Sequence, residues 1–144
     1  MKILVCGGRD FERYDALCVI LDELLEKLDT GTVEIVSGHC RGADMLGEKY
    51  AREHNIKVKL FPADWNTHGK AAGPIRNKMM VDYITPFEER LVIAFLSKES
   101  RGTRHTVSLA RERKIPVIEA HYEIRDGRCA MEKIIKDEGI LLSI

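Results

Sequence analysis

Glycines and charged side chains gather in four segments, and each segment directly follows an apolar run. Their candidate ligand-binding residues are Gly7, Gly8, Arg9 and Asp10; Ser37, Gly38, Arg41, Gly42, Ala43 and Asp44; Asp64, Trp65, Lys70, Gly73, Arg76 and Asn77; and Gly102 and Thr103. Glycines let a backbone approach a ligand closely, and helix N-termini present N–H groups to anions. Arginine binds phosphate through its planar fork. The pattern predicts a ligand that carries phosphate, most simply a nucleotide, with Trp65 stacked on its base or ribose.

No single segment is diagnostic by itself. Gly7-Gly8 does not continue into the G-x-G-x-x-G fingerprint of dinucleotide sites, and no G-x-x-x-x-G-K-[ST] loop is present. A tight turn between a strand and a helix accounts for any one of these glycines. The prediction therefore depends on all four segments meeting at one place.

The elements between these segments predict such a meeting. Strands are expected over residues 2–6, 32–36, 57–61, 91–96 and 115–118, and helices over 10–28, 43–54, 74–84 and 103–114. Residues 62–73 are expected to form a long loop. Regular alternation predicts an α/β fold, a Rossmann-like three-layer αβα arrangement with a mainly parallel sheet of at least five strands. Ligands of such sheets bind beyond the carboxyl ends of the strands.

The last part of the chain is less regular. Residues 122–125 and the Asp126-Gly127 pair suggest a strand followed by a tight turn. Residues 130–138 are predicted to be helical, and residues 140–144 to form a last strand or a docked apolar segment. We expect a single domain over 1–144, with a core of 2–119 and a C-terminal extension of 120–144.

Composition restricts the partners. The 144 residues include 23 Lys plus Arg and 23 Asp plus Glu, so the formal net charge is zero, which argues against nucleic acid as the main partner. No apolar run is long enough to cross a membrane, and the start does not look like a signal peptide. We expect a cytoplasmic protein.

The four cysteines lack the C-x-x-C spacing of zinc and redox sites and are expected to be free thiols. Cys6, His39 and Cys40 are too few for a tetrahedral zinc site, so no metal and no cofactor is predicted. His68 and His105 are open to two interpretations, as phosphate contacts or as solvated histidines.

Four motifs together resemble a known family. They are GGRD at 7–10, VSGHCRGAD at 36–44, FPADW at 61–65 with GKAAGPIRNKMM at 69–80, and AF at 94–95 with GT at 102–103. The chain resembles the YspA-type branch of the SLOG superfamily over about residues 2–119. That superfamily is a Rossmann-like nucleotide-binding group with DprA and the LOG phosphoribohydrolases. The resemblance implies a pocket for a nucleotide-derived ligand, with Arg76 near its phosphate and ribose.

The chain departs from the LOG enzymes in one respect. Gly102-Thr103 matches the end of their Pro-Gly-Gly-x-Gly-Thr motif, but residues 97–101 lack the Pro-Gly-Gly part. The position of their catalytic glutamate is occupied here by Thr106, which is no carboxylate. The catalytic residues are therefore unknown, with Arg76, Asp44 and Glu99 as candidates. Asp44 also suits helix capping or a ribose contact.

Three functions follow from this resemblance. The first is a sensor or sequestering module for an ADP-ribose-like or AMP-like molecule. The alternative is a nucleotide phosphoribohydrolase that releases free base and ribose phosphate. The third, a DNA-associated protein by analogy with DprA, is opposed by the zero net charge. Relatives commonly dimerise, so a homodimer is an open alternative.

Overall fold

The computed structural model describes residues 1–26 and 28–140, and within them a six-stranded sheet lies between two layers of helices. The strands are β1 (Lys2–Gly7), β2 (Glu34–Ser37), β3 (Lys57–Leu60), β4 (Arg90–Leu96), β5 (Val117–Arg125) and β6 (Arg128–Lys136). The α-helices are α1 (Tyr14–Leu25), α2 (Ala43–Glu53), α3 (Trp65–His68), α4 (Ala72–Ile84) and α5 (Arg101–Glu112). Short 3-10 turns cover Thr30–Thr32 and Gly69–Ala71.

The strand order is β3-β2-β1-β4-β5-β6. The first five strands are parallel, and β6 pairs antiparallel with β5. The chain moves outward from β1 through β2 to β3, then returns to place β4 on the other side of β1. The strand order therefore reverses between β1 and β4, where open α/β sheets form a crevice.

Strand β1 shows why a central strand of this sheet consists of consecutive apolar residues. Ile3 and Val5 join one core with residues of α1 and α2, whereas Leu4 and Cys6 join a second core with residues of α4 and α5. All four side chains are buried because successive residues of a strand point to opposite faces. The predicted three-layer αβα class is confirmed.

Two predicted boundaries move. Helix α1 begins at Tyr14 rather than after Asp10, because Phe11 turns into the core and its ring stacks on Phe95 at 4.5 Å. Residues 62–73, predicted as a loop, contain α3 and a 3-10 turn, and α4 begins before Pro74. No helix in the described ranges has the length and apolarity to cross a membrane.

The helix predicted over residues 130–138 is wrong. The Asp126-Gly127 turn, with φ of 51° and 76°, instead sends the chain back along β5 as strand β6. Residues 117–118 of one predicted strand and 122–125 of the next belong to a single strand, β5, whereas residues 115–116 precede it. Of the predicted last segment, residues 141–144 lie outside the described residues.

Candidate ligand-binding site

The four predicted segments emerge together at the carboxyl edge of the sheet, where β1, β2, β3 and β4 end. They surround a cavity of about 700 Å³ next to the reversal of strand order. Its walls come from the β1–α1 and β2–α2 loops, α3, α4 and the start of α5. The lining residues are Cys6, Gly7, Gly8, Arg9, Asp10, Cys40, Arg41, Asp44, Trp65, Gly73, Pro74, Arg76, Asn77, Met80, Ser97, Glu99, Ser100, Arg101, Gly102, Thr103, His105 and Thr106.

Most residues predicted to bind a ligand lie in this wall, including all three catalytic candidates, Arg76, Asp44 and Glu99. Six lie outside it: Ser37, Gly38, Gly42, Ala43, Asp64 and Lys70. Five of these support neighbouring elements through contacts described below, and Lys70 is exposed in the 3-10 turn before α4.

Gly42 allows the β2–α2 loop to touch the β1–α1 loop. Its φ of 90° lies in the left-handed region, and a Cβ there would approach the carbonyl oxygen of Gly8 to 2.2 Å. That same carbonyl accepts a hydrogen bond from the backbone N–H of Ala43, at 3.3 Å. Gly42 and Ala43 thus fix the start of α2 against the cavity wall.

Arg76 reaches the cavity from α4 and is only 9% exposed. Its Nη1 donates to the carbonyl oxygen of Gly38 at 2.7 Å, and its Nε donates to Oδ1 of Asn77 at 2.9 Å. Nη1 also lies 3.4 Å from Sγ of Cys40. None of the described residues accepts a hydrogen bond from Nη2, so this end of the fork remains open for a ligand.

Asp44 is a buried carboxyl group in the first turn of α2. Burial raises its pKa to about 6, although the backbone N–H of Cys40 and the charge of Arg76 favour the carboxylate. At neutral pH the group is therefore mostly ionised. It can accept a hydrogen bond from a hydroxyl group or take a proton as a general base.

The N-terminus of α5 lies against the same cavity. The Ser100 hydroxyl, at the N-cap position, accepts from the backbone N–H of Ser97 at 2.9 Å instead of capping its own helix. Among the described residues, no acceptor faces the backbone N–H groups of Gly102 and Thr103. Both groups are therefore open to an anion at the positive end of a twelve-residue helix.

Asn77 ties α4 to α5. Its Nδ2 donates to the carbonyl oxygen of Gly102 at 3.2 Å and lies 3.4 Å from Nδ1 of His105. Thr106, one turn further along α5, is buried and within 3.4 Å of the same carbonyl oxygen. The position that carries a glutamate in LOG enzymes thus contributes a small hydroxyl group to the wall.

The mouth of the cavity carries the chain's one tryptophan. Trp65 is 48% exposed, and the guanidinium carbon of Arg9 lies 5.9 Å from the centre of its ring. Asp64 accepts from the backbone N–H of Thr67 and so caps α3. Hydrogen bonds from the side chain and then the backbone of Thr67 lower the pKa of Asp64, which caps the helix that begins at Trp65.

A hydrogen-bond network outside the cavity wall supports the β2–α2 loop. The Ser37 hydroxyl donates to Glu48 at 2.7 Å, and Nδ1 of His39 lies 2.9 Å from the same carboxylate. His39, which has a φ of 59°, also donates its backbone N–H to the Ser37 hydroxyl. Ser37 therefore positions the loop rather than lining the cavity.

Several wall residues were not predicted as ligand-binding, notably Ser97, Ser100 and Pro74. The two serines could have been predicted from the polar stretch that contains them, because that stretch follows β4 at the reversal of strand order. Cys6 and Cys40 line the cavity, whereas His39 contacts Glu48. Within the described ranges, no cluster of three or more His, Cys, Asp or Glu residues is arranged to hold a metal ion.

Fold and cavity together define a Rossmann-like α/β protein whose candidate site lies where the strand order reverses. Residues 1–68 match the YspA, cpYpsA-related SLOG family (YAcAr). The Gene 61 protein of Mycobacterium phage D29 is 33% identical over 122 residues, which cover 81% of this chain and 94% of that protein. The chain belongs to this SLOG family.

A solved structure shows the same fold. The X-ray structure of DNA processing protein A (DprA) from Streptococcus pneumoniae matches with a TM-score of 0.64 and 19% sequence identity. The match covers 88% of this chain and 52% of that one, so the chain spans about half the length of DprA.

Proposed function

We propose that this protein binds a nucleotide-derived phosphate ligand, of the AMP or ADP-ribose kind, in the cavity between β1 and β4. One observation carries the proposal. A buried arginine with an open Nη2 and a helix N-terminus with two open N–H groups line the same cavity. Both features favour a phosphate group, by a charged hydrogen bond from Nη2 and by the helix dipole.

The rest of the cavity suits the remainder of a nucleotide. Its volume of about 700 Å³ lies in the range of small-molecule sites. Trp65 offers an exposed aromatic face at the mouth, which suits stacking on a base. The carboxylate of Asp44 suits hydrogen bonding to a ribose hydroxyl.

We favour a sensor or sequestering role over turnover because Thr106 stands where LOG enzymes have their glutamate. The name of DprA refers to DNA processing. For this chain, the zero net charge favours a small molecule over a nucleic acid strand.

A second candidate function, nucleotide phosphoribohydrolase, is supported by Asp44. A buried carboxyl group with a pKa of about 6 in a ligand-sized cavity has the properties of a general base. It would activate water for cleavage of the N-glycosidic bond, giving free base and ribose phosphate.

Isothermal titration with AMP, ADP-ribose and ribose 5-phosphate tests the binding function. We expect saturable binding that is weakened in Arg76→Ala and kept in Arg128→Ala, which removes an exposed arginine from β6. Equal affinity of both variants would place the ligand elsewhere. Mass spectrometry of the same mixtures decides turnover, since a hydrolase yields free base in the wild type and not in Asp44→Asn.

A further inference from the structure

One buried hydroxyl group on β5 binds the β1–α1 loop, which flanks the reversal of strand order. Tyr122, on β5, is 2% exposed, and its hydroxyl donates to Oδ1 of Asp10 in the β1–α1 loop. Ser97, in the β4–α5 loop, lies beside Tyr122 in the wall of a second, smaller cavity. Asp10, Ser97 and Ser100 all line the candidate cavity.

The strand pairing around Tyr122 directs its side chain toward the β1–α1 loop. The parallel pairing of β4 with β5 ends at Leu96 opposite His121, so Tyr122 stands one residue beyond the last pair. The pairing of β5 with β6 is irregular at this point, since His121 faces Lys133 whereas Tyr122 faces Met131. Such a bulge redirects a side chain, and bulges are common beside functional sites.

The ring and the hydroxyl of Tyr122 have separate contacts. The ring packs in the core against Phe11, with centroids 5.2 Å apart. The hydroxyl lies so close to the β1–α1 loop that a Cβ on Gly8 would approach it to 1.9 Å. Replacing Tyr122 by phenylalanine therefore keeps the core packing and removes only the hydrogen bond to Asp10.

We infer that Tyr122 is a positioning residue, whose hydroxyl holds the β1–α1 loop so that Arg9 lies over Trp65 and Asp10 lies in the cavity wall. The effect that we expect on ligand affinity rests on the proposed function. It makes the C-terminal hairpin of β5 and β6 part of the site, although the match to the SLOG family covers residues 1–68.

The first readout needs no ligand. Trp65 is the one tryptophan of the chain, and Arg9 lies over its ring. In Tyr122→Phe the released loop uncovers Trp65, so acrylamide quenches its fluorescence more strongly than in the wild type. Tyr50→Phe is the matched control, because Tyr50 is equally buried and its hydroxyl donates to the carboxylate of Asp22 at 2.6 Å.

The second readout is affinity for AMP and ADP-ribose. Tyr122→Phe removes a hydrogen bond to a carboxylate and so loosens the β1–α1 loop in the cavity wall. We therefore expect affinity to fall about tenfold or more in Tyr122→Phe and to stay unchanged in Tyr50→Phe. Asp10→Ala should produce the same quenching change, with no further increase in the double variant, because both act through one contact.

Unchanged Trp65 quenching in Tyr122→Phe would overturn the inference, whatever the ligand results. If the wild type binds neither AMP nor ADP-ribose, the proposed function fails, and quenching alone still decides the role of Tyr122. Stronger quenching in both Tyr122→Phe and Tyr50→Phe would also overturn the inference, since it would reflect general loosening of the core.

Discussion

Nη1 of Arg76 donates a 2.7 Å hydrogen bond to the carbonyl oxygen of Gly38, and this contact fastens α4 to the β2–α2 loop. A Cβ on Gly38 would lie 2.6 Å from the same Nη1, so the two residues fit only because one of them has no side chain. The guanidinium is thereby held in a fixed orientation before any ligand arrives, which lowers the entropy cost of binding.

Arg76→Ala should weaken AMP binding by about 1.5–3 kcal/mol, because a charged hydrogen bond to phosphate is lost. The variant should also be less stable, since the Gly38 carbonyl loses its partner. Arg76→Lys should recover stability better than affinity, because an ammonium group that donates to Gly38 does not also supply a second nitrogen, as Nη2 does, to the phosphate. Calorimetry and urea unfolding of each variant measure the two effects separately.

Arg113→Ala is the control for Arg76. Arg113 lies at the far end of α5 and is paired with Asp82 on α4. Its loss should leave AMP affinity unchanged. Equal weakening of both variants would mean that the effect of Arg76 comes from general charge rather than from its place in the cavity.

Gly42→Ala should destabilise the protein far more than Gly127→Ala. Both glycines have positive φ, so both substitutions incur the left-handed cost of about 1–2 kcal/mol. Only at Gly42 does the new Cβ also meet backbone, at 2.2 Å from the carbonyl oxygen of Gly8, and overpacking adds roughly 1–3 kcal/mol. Urea unfolding checks this, and equal losses would contradict the described loop contact.

Asp44 should make stability fall as the pH rises from about 4 to about 6. Burial raises its folded-state pKa from 3.8 to about 6, so the folded protein binds the proton more tightly than the unfolded chain does. The stabilising contribution is complete below the unfolded pKa and is lost as the pH passes the folded pKa. At about 1.4 kcal/mol per pKa unit, the loss is roughly 3 kcal/mol.

Asp44→Asn isolates this effect. The amide oxygen can still accept from the backbone N–H of Cys40 but carries no charge. We expect the stability difference between variant and wild type to grow in favour of the variant between pH 4 and 7. A difference that is flat across this interval would show that the carboxyl group has an ordinary pKa.

Trp65→Ala should weaken AMP binding by about 1–3 kcal/mol and leave ribose 5-phosphate binding nearly unchanged, because only the first ligand has a base to stack. Trp65 is 48% exposed, so its loss should cost little stability. Titration with both ligands provides the comparison. Equal losses for the two would mean that Trp65 does not contact the base.

Much of the fold was predictable because the central strands β1 and β4 are buried on both faces. Alternate side chains of the run Ile3–Cys6 pack into the two cores, and this continuous apolar run predicts a strand. The C-terminal part was harder, since the bulge between His121 and Tyr122 interrupts the pairing of β6 with β5. The burial of β6 does not alternate, so Cys129, Ile134 and their neighbours resemble a helical pattern.

The place of the site was predictable from topology, because loops after parallel strands share one edge. The role of each residue at this edge of the sheet was not predictable in the same way. Ser37 and Asp64 look like ligand contacts in the sequence, yet they bind Glu48 and the backbone of Thr67. Tyr122 comes from 112 residues beyond Asp10, and no local pattern reveals a contact of that separation.

The most direct test of the central claim is a thermal-shift screen of the purified protein against AMP, ADP-ribose, NAD and cyclic nucleotides, with mass spectrometry of each mixture. A ligand at about 100 times its Kd adds roughly 2.7 kcal/mol of stability, which raises Tm by several degrees. We predict such a shift for a phosphate-bearing nucleotide that is recovered intact, and a smaller shift in Arg76→Ala. No shift with any of these ligands would contradict a nucleotide site between β1 and β4.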